Sequence, residues 1–563
     1  MKLGRLGISA TAVFVLVIVM AAIPLLTNAD PVWSKFGANG SQNRRSSEVS
    51  ARTGDGLWTF ETGNFNFCSP AINENEEVCL GSRNGLFFAL SPIGDLNWIF
   101  DAIARVDSSP AIDTAGNIYF GANNGLVYCI NAPSAGGTQG TLRWSFDAGD
   151  TVFSSPTLDE SEESVIFGTE DGVLMSIFSD NFAATQGTLE WSHLLGDRIF
   201  ASPAYRYYDL APTSDPAGDV AMVYIGAEIG LSDGLMYGVE VPIDPAASTL
   251  ATIQWVYPGV GDDAVGRIQS SVAVSDDGNF IYFGSKDGNL YCLTSSGYLQ
   301  WTYGTNGMID SSPGILSTGE IVVGSRDGAV YCVDEEGTLQ WSFETGDTIE
   351  SSPAIDANDN ILIGSRDYFL YSISPTGAQN WRYMSDYHIW SSPVIGKQFY
   401  DPSGIQQAVT TATIYFTGAD MKVHAICEDR AAPYLLSRTP DDGETGVSKR
   451  LANIVFEVVD AQTDVDREEI FMLFREHQVH PSFERIEGEG YRGWKCTFYC
   501  GDETFQYDEE VTINVQAYDT AWEPNLMEET YSFTIESSSK RSLAAPTQLK
   551  PRGLASPQAT EVR

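Results

Sequence analysis

The sequence is poor in basic residues and in histidine. Of 563 residues, 32 are lysine or arginine and 5 are histidine, against 75 acidic residues, so the formal net charge is −43. Nucleic-acid binding needs clustered lysine and arginine to displace counterions, so general nucleic-acid binding is excluded. The same charge disfavours docking on anionic lipid. Runs of helix-favouring residues are nearly absent while glycine is abundant, which indicates many short strands and tight turns.

Long hydrophobic runs are absent after the first thirty residues. Residues Met1–Ala29 combine the basic Lys2 and Arg5 with an apolar stretch and with small residues before Asp30. This pattern predicts a secretory signal that is cleaved before Asp30. An uncleaved anchor is the alternative, because the apolar zone approaches the length that spans a bilayer. We therefore expect an exported protein, whether periplasmic, cell-surface or secreted, with no membrane span after signal removal.

The eight cysteines show no disulfide framework. Cys129, Cys292 and Cys332 occupy the same slot of a repeat, and slots in separate units do not approach the roughly 7 Å between Cα atoms that a disulfide allows. Cys496 and Cys500 lie on one face of a predicted strand, about 13 Å apart. We predict that most of the cysteines are small buried hydrophobic residues.

A repeat marked by tryptophan covers most of the chain. Each copy has four short apolar runs separated by turns such as Asp-Gly and Asn-Gly, which are typical of antiparallel hairpins. Four strands per copy of 40–50 residues predict one propeller blade, so eight copies predict an all-β fold with an eight-bladed β-propeller. A linear solenoid would need atypical caps, which the sequence lacks. The repeat tryptophans are Trp58, Trp98, Trp144, Trp191, Trp255, Trp301, Trp341 and Trp381.

The two ends of the repeat complement each other. The last copy, from Ser391 to Ile426, has no following tryptophan strand, whereas the strand of Trp58 precedes the first complete copy. We predict that the strand of Trp58 completes the last blade, so that three strands from one end and one strand from the other close the ring. The predicted propeller spans residues 30–428.

The repeat resembles the PQQ-type β-propeller repeat. The resemblance rests on a Gly-Ser-x-Asp-Gly-x-x-Tyr motif followed by a glycine turn and tryptophan, and on the opening segment from Trp33 to Arg44. Within that superfamily the chain is more similar to the non-enzymatic propellers, such as the propeller lipoproteins of outer-membrane β-barrel assembly. The resemblance implies a non-catalytic binding or scaffold protein whose partners are other envelope or surface proteins.

The quinoprotein dehydrogenases share the repeat and supply the competing interpretation. The resemblance would then imply an adjacent cysteine pair over the quinone, long insertions and a calcium site, but no two cysteines are adjacent here. We therefore expect no catalysis and no bound PQQ. A PQQ-dependent oxidoreductase with a degenerate site stays open, as does a carbohydrate-binding surface protein. The pair His477 and His480 is weak evidence for a metal site.

A variable position precedes the small-small-Pro signature of each copy. Its preceding neighbour is usually Val or Ile and would point into the blade, so strand alternation directs the variable residue to the axial mouth. We expect a ligand or partner with apolar groups and with cationic or hydrogen-bond-donating groups there; a simple plug of the ring is the alternative. The eight residues of this candidate ring are Phe67, Asp107, Phe153, Phe200, Gln269, Asp310, Glu350 and Trp390.

Two blades carry insertions. Residues Tyr205–Asp219 extend the fourth copy and residues Lys397–Thr411 extend the eighth. Long insertions on a regular scaffold are often functional loops, and tyrosine-rich ones suit protein contacts. Tolerated surface loops are the alternative interpretation.

The pattern changes after the repeat. Alternating apolar residues between 429 and 536 predict a β-sandwich, and the short motifs Pro440-Asp-Asp-Gly443 and Ala517-Tyr-Asp519 resemble bacterial immunoglobulin-like domains. Residues 537–563 are rich in Ser, Pro and Ala and predict a disordered tail.

Four aspartates follow strands of this predicted sandwich. If those strand ends share one pole, the carboxylates could bind calcium. A solvated acidic loop is the favoured alternative, because no complete ligand pattern is present. The aspartates are Asp460, Asp464, Asp466 and Asp519.

Overall fold

The structure, a computed structural model, describes most of the chain between residues 33 and 535. The described residues are 33–134, 137–180, 185–209, 220–243, 250–398, 412–427, 434–448, 451, 453–460, 465–475, 477–488, 491–500, 505–506, 508–518 and 526–535. The predicted signal, the predicted tail and most of the eighth-copy insertion lie outside them. Within the described residues, no helix has the length and apolar character needed to cross a membrane.

Residues 55–427 form eight antiparallel sheets of a β-propeller, which confirms the predicted fold class. We number the sheets as blades and give their strands from the innermost to the outermost. Blade 1 is Ala71–Ile72, Val78–Gly81, Leu86–Leu90 and Leu96–Asp101; blade 2 is Ala111–Ile112, Ile118–Gly121, Leu126–Asn131 and Thr141–Asp147. Blade 3 is Thr157–Leu158, Ser164–Gly168, Val173–Phe178 and Leu189–Leu194; blade 4 is Ala204–Tyr208, Val220–Ile229, Asp233–Val241 and Thr252–Tyr257, with Val265–Gly266 added beside the third strand.

The remaining blades repeat the same order. Blade 5 is Ala273–Val274, Phe280–Gly284, Asn289–Thr294 and Leu299–Gly304; blade 6 is Gly314–Ile315, Ile321–Gly324, Ala329–Val333 and Leu339–Glu344. Blade 7 is Ala354–Ile355, Ile361–Gly364, Phe369–Ile373 and Gln379–Met384. Blade 8 is Val394–Gln398, Ala412–Thr417, Lys422–Cys427 and Asp55–Glu61.

Blade 8 is completed by a strand from the other end of the propeller sequence. Asp55–Glu61 pairs antiparallel with Lys422–Cys427, and Trp58 lies opposite Ala425. The predicted clasp of three strands plus one is therefore confirmed. The Trp58 indole N–H donates to the carbonyl of Pro92 at 2.8 Å, so the clasp strand also contacts blade 1.

Glycine ends the second strand of six blades because no side chain fits there, and in blade 4 the equivalent Gly226 lies inside the strand. At Gly324 an added Cβ would lie 2.3 Å from Cγ2 of Ile349, and at Gly81 it would lie 2.2 Å from Cγ1 of Val106. These Val and Ile residues immediately precede the candidate ring positions and are fully buried, as strand alternation predicts. The packing between blades therefore fixes where the neighbouring ring residues point.

The inner strands are shorter than the sequence indicated. The Ser-Ser-Pro residues lie at the axis but outside the strands, which begin one residue after proline. Proline has no N–H for a strand ladder, and the serines bond to the next blade instead. In blade 4 the inner strand is longer instead: Ala204–Tyr208 is a five-residue strand, although the sequence predicts an inserted loop from Tyr205 onward.

An opening segment, residues 33–50, crosses the face of the ring on which the inner strands end. Its backbone carbonyls accept hydrogen bonds from several inner strands, as at Ile72 N–H to Trp33 O (2.9 Å) and Ile355 N–H to Arg44 O (2.9 Å). Arg44 is 1% exposed, and burial lowers its pKa to about 9. Its guanidinium carbon lies 4.3 Å from the ring centroid of Phe36.

Residues 434–535 form two sheets around one hydrophobic core, as a β-sandwich requires. The first sheet orders Tyr434–Thr439, Asn453–Asp460, Tyr491–Tyr499 and Ser482–Gly488; the second orders Thr445–Val447, Leu526–Ile535, Glu510–Tyr518, Phe471–Phe474 and His477–Val479. A single 3-10 turn, Arg467–Glu469, is the helical element among the described residues. The immunoglobulin-like relationship of this module stays a prediction.

All eight cysteines are buried and none is in a disulfide, which confirms their interpretation as small hydrophobic residues. Burial raises the pKa of the Cys68 and Cys332 thiols to about 12 each. Neither thiol is therefore poised as a nucleophile at neutral pH.

Candidate functional site

The structure brings all eight candidate ring residues to one cavity on the propeller axis. The cavity has a volume of about 170 Å³ and lies where the chain enters each blade; we call this end of the axis the mouth. Phe36 of the opening segment also lines it. The predicted convergence of Phe67, Asp107, Phe153, Phe200, Gln269, Asp310, Glu350 and Trp390 is thus observed.

The wall of the cavity is a closed ring of serine hydrogen bonds. The second small residue of each Ser-Ser-Pro signature donates its backbone N–H to the hydroxyl oxygen of the equivalent serine in the next blade. The bonds range from 2.8 to 3.1 Å, and Ser392 N–H to Ser69 Oγ (2.9 Å) closes the ring. The eight serines are Ser69, Ser109, Ser155, Ser202, Ser271, Ser312, Ser352 and Ser392. Each hydroxyl accepts one bond, so its own proton is available to a molecule in the cavity.

The three acidic ring residues are paired with cations. Arg83 Nε donates to Asp107 at 2.7 Å. Arg326 bridges two blades, because its Nε donates to Asp310 and its Nη2 lies 2.8 Å from Glu350. The two like charges of Asp310 and Glu350 therefore share one cation.

Burial differs between the two signs of charge. The side chain of Asp107 is 4% exposed and that of its partner Arg83 is 28% exposed. Asp310 is 11% exposed while Arg326 is 36% exposed, and Glu350 is 19% exposed while Arg366, 4.0 Å away, is 35% exposed. The three guanidinium groups are thus more exposed at the mouth than the carboxylates that they pair with, whereas Lys286, 3.6 Å from Asp310, is as buried as that carboxylate.

Aromatic rings continue the charged arc through blades 8 and 1. The Trp390 ring stacks on Phe67 with 4.4 Å between centroids. Arg366 lies 5.5 Å from the Trp390 centroid, and Arg83 lies 3.7 Å from the Phe67 centroid. Cations over aromatic faces are held in place by the ring quadrupole. An unbroken collar therefore runs from blade 6 to blade 2.

The other side of the mouth is less charged. Phe153 and Phe200 lie 5.5 Å apart between centroids, and no cation covers either ring among the described contacts. Gln269 donates to the buried carboxylate of Glu228 at 2.8 Å. The mouth thus pairs an aromatic surface on blades 3 and 4 with a collar of arginine and aromatic side chains that runs from blade 6 to blade 2.

Sequence reasoning missed the cations of the collar. Arg83, Arg326 and Arg366 all stand two residues after the glycine that ends the second strand. The repeated Gly-Ser-Arg tripeptide was a detectable signal, but the same slot holds Asn123 and Glu170 in blades 2 and 3. Only the fold shows that this slot faces the ring residue of the following blade.

The predicted calcium site is not assembled among the described residues. Asp464 and Asp519 lie outside them, and Asp466 caps the 3-10 turn by accepting from the Glu468 N–H at 2.9 Å. Asp460 is 1% exposed at the end of its strand. Within the described part of the chain, no cluster of three or more His, Cys, Asp or Glu side chains could hold a metal ion.

The mouth residues do not fit a calcium–quinone centre. A calcium ion needs six to eight oxygen ligands, usually including carboxylates that are free to bind it. At this mouth Asp107, Asp310 and Glu350 are each engaged by arginine. The described donor set therefore suits hydrogen bonding and ion pairing rather than a metal–cofactor assembly.

The fold and this axial site define a PQQ-like β-propeller. The chain is similar to Sqt1 from Saccharomyces cerevisiae (12% identity, TM-score 0.54, 67% of this chain and 100% of that one). It is also similar to the quinohemoprotein alcohol dehydrogenase ADHIIG from Pseudomonas putida HK5 (12%, 0.53, 75% and 84%) and to BamB from Moraxella catarrhalis (15%, 0.46, 67% and 98%). No curated protein matches.

The family follows from the sequence profile. Residues 47–225 and 252–388, more than half of the chain, match the profile of the outer membrane protein assembly factor BamB. The chain belongs to this family.

Proposed function

We propose that this protein is a non-catalytic binding or scaffold protein of the cell envelope that holds a protein partner at the propeller mouth. The family profile, named for outer membrane protein assembly, supports an envelope role. The predicted signal at residues 1–29 supports export. Fractionation of cells, with N-terminal sequencing of the mature protein, tests both; a first residue of Asp30 is expected.

The observation that carries this proposal is the burial of carboxylates beneath exposed cations at the mouth. In a protein of net charge −43, the mouth therefore offers exposed guanidinium groups above buried carboxylates. Exposed apolar residues surround the collar on the loops that enter the blades, such as Ile103 (86% exposed) and Met308 (42%). A partner suited to this surface presents carboxylates and apolar side chains, rather than the cations that the ring sequence alone favoured.

The experiment compares partners captured by matched variants from a native envelope extract. Phe153→Ala with Phe200→Ala removes the aromatic surface without touching an ion pair. Leu299→Ala with Leu339→Ala removes exposed apolar surface from the outer strands and serves as the control. We expect proteins retained by wild type and control to be lost from the Phe153 and Phe200 variant. Equal capture by all three would place the binding surface elsewhere.

The quinoprotein oxidoreductase remains the competing proposal, because the shared fold also occurs in dehydrogenases. Adding PQQ with calcium and recording the absorbance of bound quinone distinguishes the two. A stoichiometric bound-quinone spectrum that survives gel filtration would favour the enzyme. The paired carboxylates at the mouth lead us to expect no such spectrum.

A further inference from the structure

The opening segment bonds to most inner strands in one repeated way. In six blades, the second residue of the inner strand donates its backbone N–H to a carbonyl of residues 33–44. The donors are Ile72, Ile112, Tyr205, Val274, Ile315 and Ile355, and the acceptors are Trp33, Ser34, Gly40, Ser41, Asn43 and Arg44, at distances of 2.8 to 3.0 Å. In blade 8 the segment accepts instead from Ala412 N–H, at 2.8 Å.

Blade 3 is bypassed. Leu158 is the equivalent residue, and it pairs with Val165 as Ile112 pairs with Ile118. Between blades 2 and 4 the segment turns, with Ala38 N–H donating to Lys35 O at 3.1 Å. No carbonyl of the described segment accepts from Leu158. The Leu158 N–H therefore has no acceptor in the described segment, whereas the equivalent N–H groups of six other blades donate to segment carbonyls.

A cavity lies at this bypassed edge. Its volume is about 590 Å³, within the range of roughly 300–1,000 Å³ that is usual for ligand sites. Leu158, Asp159 and Glu160 of blade 3 line one side, and Tyr205 and Tyr207 of blade 4 line the other. The cavity is on the face opposite to the mouth, so it is separate from the site of the proposed function.

The carboxylates of the cavity differ in how many hydrogen bonds they accept from the protein. Asp159 accepts from Ser161 Oγ (2.5 Å) and from Ser164 N–H (2.8 Å), and Glu162 accepts from Thr114 Oγ1 at 2.6 Å. Glu160 is exposed, and its carboxylate has no ion-pair partner among the described residues. The cavity thus holds one exposed carboxylate with no described ion-pair partner and one strand-edge N–H with no described acceptor. Lys35 and Arg206 also line it, and Arg206 is engaged by Ser41 Oγ and the Asp276 carbonyl.

We propose that the edge of blade 3 binds an extended peptide segment that carries a lysine or arginine side chain. A peptide carbonyl accepts from Leu158 N–H, in the position that opening-segment carbonyls occupy at six other blades. The basic side chain pairs with Glu160, and the tyrosine rings cover the peptide from the blade 4 side. Strand addition of this kind draws affinity from main-chain hydrogen bonds and selectivity from alternate side chains.

The probe is a fluorescent blocked pentapeptide of sequence Thr-Val-Lys-Val-Thr, titrated into the full-length protein and followed by anisotropy. Glu160→Gln should weaken its binding by about threefold to fivefold, the usual size of a partly exposed ion pair. The matched control is Glu74→Gln, since Glu74 is the equivalent exposed residue of blade 1, whose edge is already bonded to Trp33. Replacing lysine by glutamate in the peptide should abolish binding to wild type.

Amide hydrogen exchange gives a second readout that does not depend on a variant. In the free protein Leu158 should exchange faster than Ile112, and the peptide should slow Leu158 alone. The Phe153 and Phe200 variant should bind the pentapeptide as wild type does, which separates this site from the mouth. Equal protection of Leu158 and Ile112 in the free protein, no binding of the lysine peptide, or binding unchanged by Glu160→Gln would overturn the proposal.

Discussion

The two faces of the propeller are built from different parts of the chain. At the mouth, side chains from successive blades pair with one another, as Arg326 pairs with Asp310 and Glu350. On the opposite face, one remote segment spans the blades through backbone carbonyls. Side-chain pairing makes the mouth specific to these residues, whereas backbone bonding makes the opposite face tolerant of sequence but dependent on the segment as a whole.

Deleting residues 30–60 should have the largest effect. The deletion removes the clasp strand and every opening-segment hydrogen bond, and it exposes the edge of Lys422–Cys427. We expect the cooperative thermal transition of the propeller to disappear in calorimetry. Adding a synthetic peptide of residues 30–61 should restore part of it, because the clasp is non-covalent. An unshifted transition in the truncated protein would contradict this role.

Gly324→Ala should destabilise the packing between blades 6 and 7 next to the mouth. The new Cβ would lie 2.3 Å from Ile349 Cγ2, so blades 6 and 7 must separate, at a cost of about 2–3 kcal/mol. Chemical denaturation measures the loss. The cost should be smaller in an Ile349→Ala background, and Gly304→Ala is the control because its nearest contact is the Asn289 side chain at 3.2 Å. Equal costs at Gly304 and Gly324 would refute the packing argument.

Arg326→Gln should cost about 1–2 kcal/mol, less than a fully buried ion pair because Arg326 is 36% exposed. The loss leaves Asp310 and Glu350 without their shared cation. Adding Asp310→Asn and Glu350→Gln should recover part of the stability, which urea denaturation would show. A triple variant no more stable than Arg326→Gln would mean that the carboxylates do not depend on this cation.

The smallest effect on stability is expected at the turn between the second and third strands of blade 8, where Asp420 lies. Tyr371 donates to Asp367 in blade 7, but blade 8 has His424 Nε2 at 2.7 Å from Asp420. Burial acts to raise the pKa of Asp420, but the hydrogen bond and charge of His424 outweigh it and lower that pKa below its ordinary value. The contribution of Asp420 is therefore full above a pH of about 4 and is lost as the pH falls further.

Asp420→Asn tests this linkage. It should destabilise the protein by about 1 kcal/mol at pH 7, and the difference from wild type should shrink below pH 4. Denaturation at pH 7, 5 and 3 measures it. Asp367→Asn, whose partner is an uncharged tyrosine, is the control. A difference for Asp420→Asn that is constant across this range would contradict the assignment.

The sequence allowed the blades, the clasp and the eight ring positions to be predicted, because each depends on a repeated apolar pattern. The buried residue before each ring position, such as Ile349, fixes the alternation that places Glu350 at the mouth. The cations could not be assigned to the ring, because their slot lies in a different hairpin from the carboxylate that they pair with. The hydrogen bonds of the opening segment could not be predicted either, because they join backbone atoms and therefore place no requirement on the side chains.

In the C-terminal sandwich, the strands with a buried alternating face were predicted, as for Ile454, Phe456 and Val458. The strands Ser482–Gly488 and His477–Val479 were missed, because exposed edge strands carry no such alternation. The Asp460 to Asp519 cluster stays a prediction, since two of its four members lie outside the described residues.

The clasp also determines when the ring can close as the chain is synthesised. The strand Asp55–Glu61 is made among the first, but its partner Lys422–Cys427 is the last strand of the propeller to be made. Until then the early strand and the opening segment have no completed ring to join, and loop-closure entropy opposes their docking. Contacts of such sequence separation slow folding. The chain is therefore most vulnerable to proteolysis or misassembly just before the ring closes.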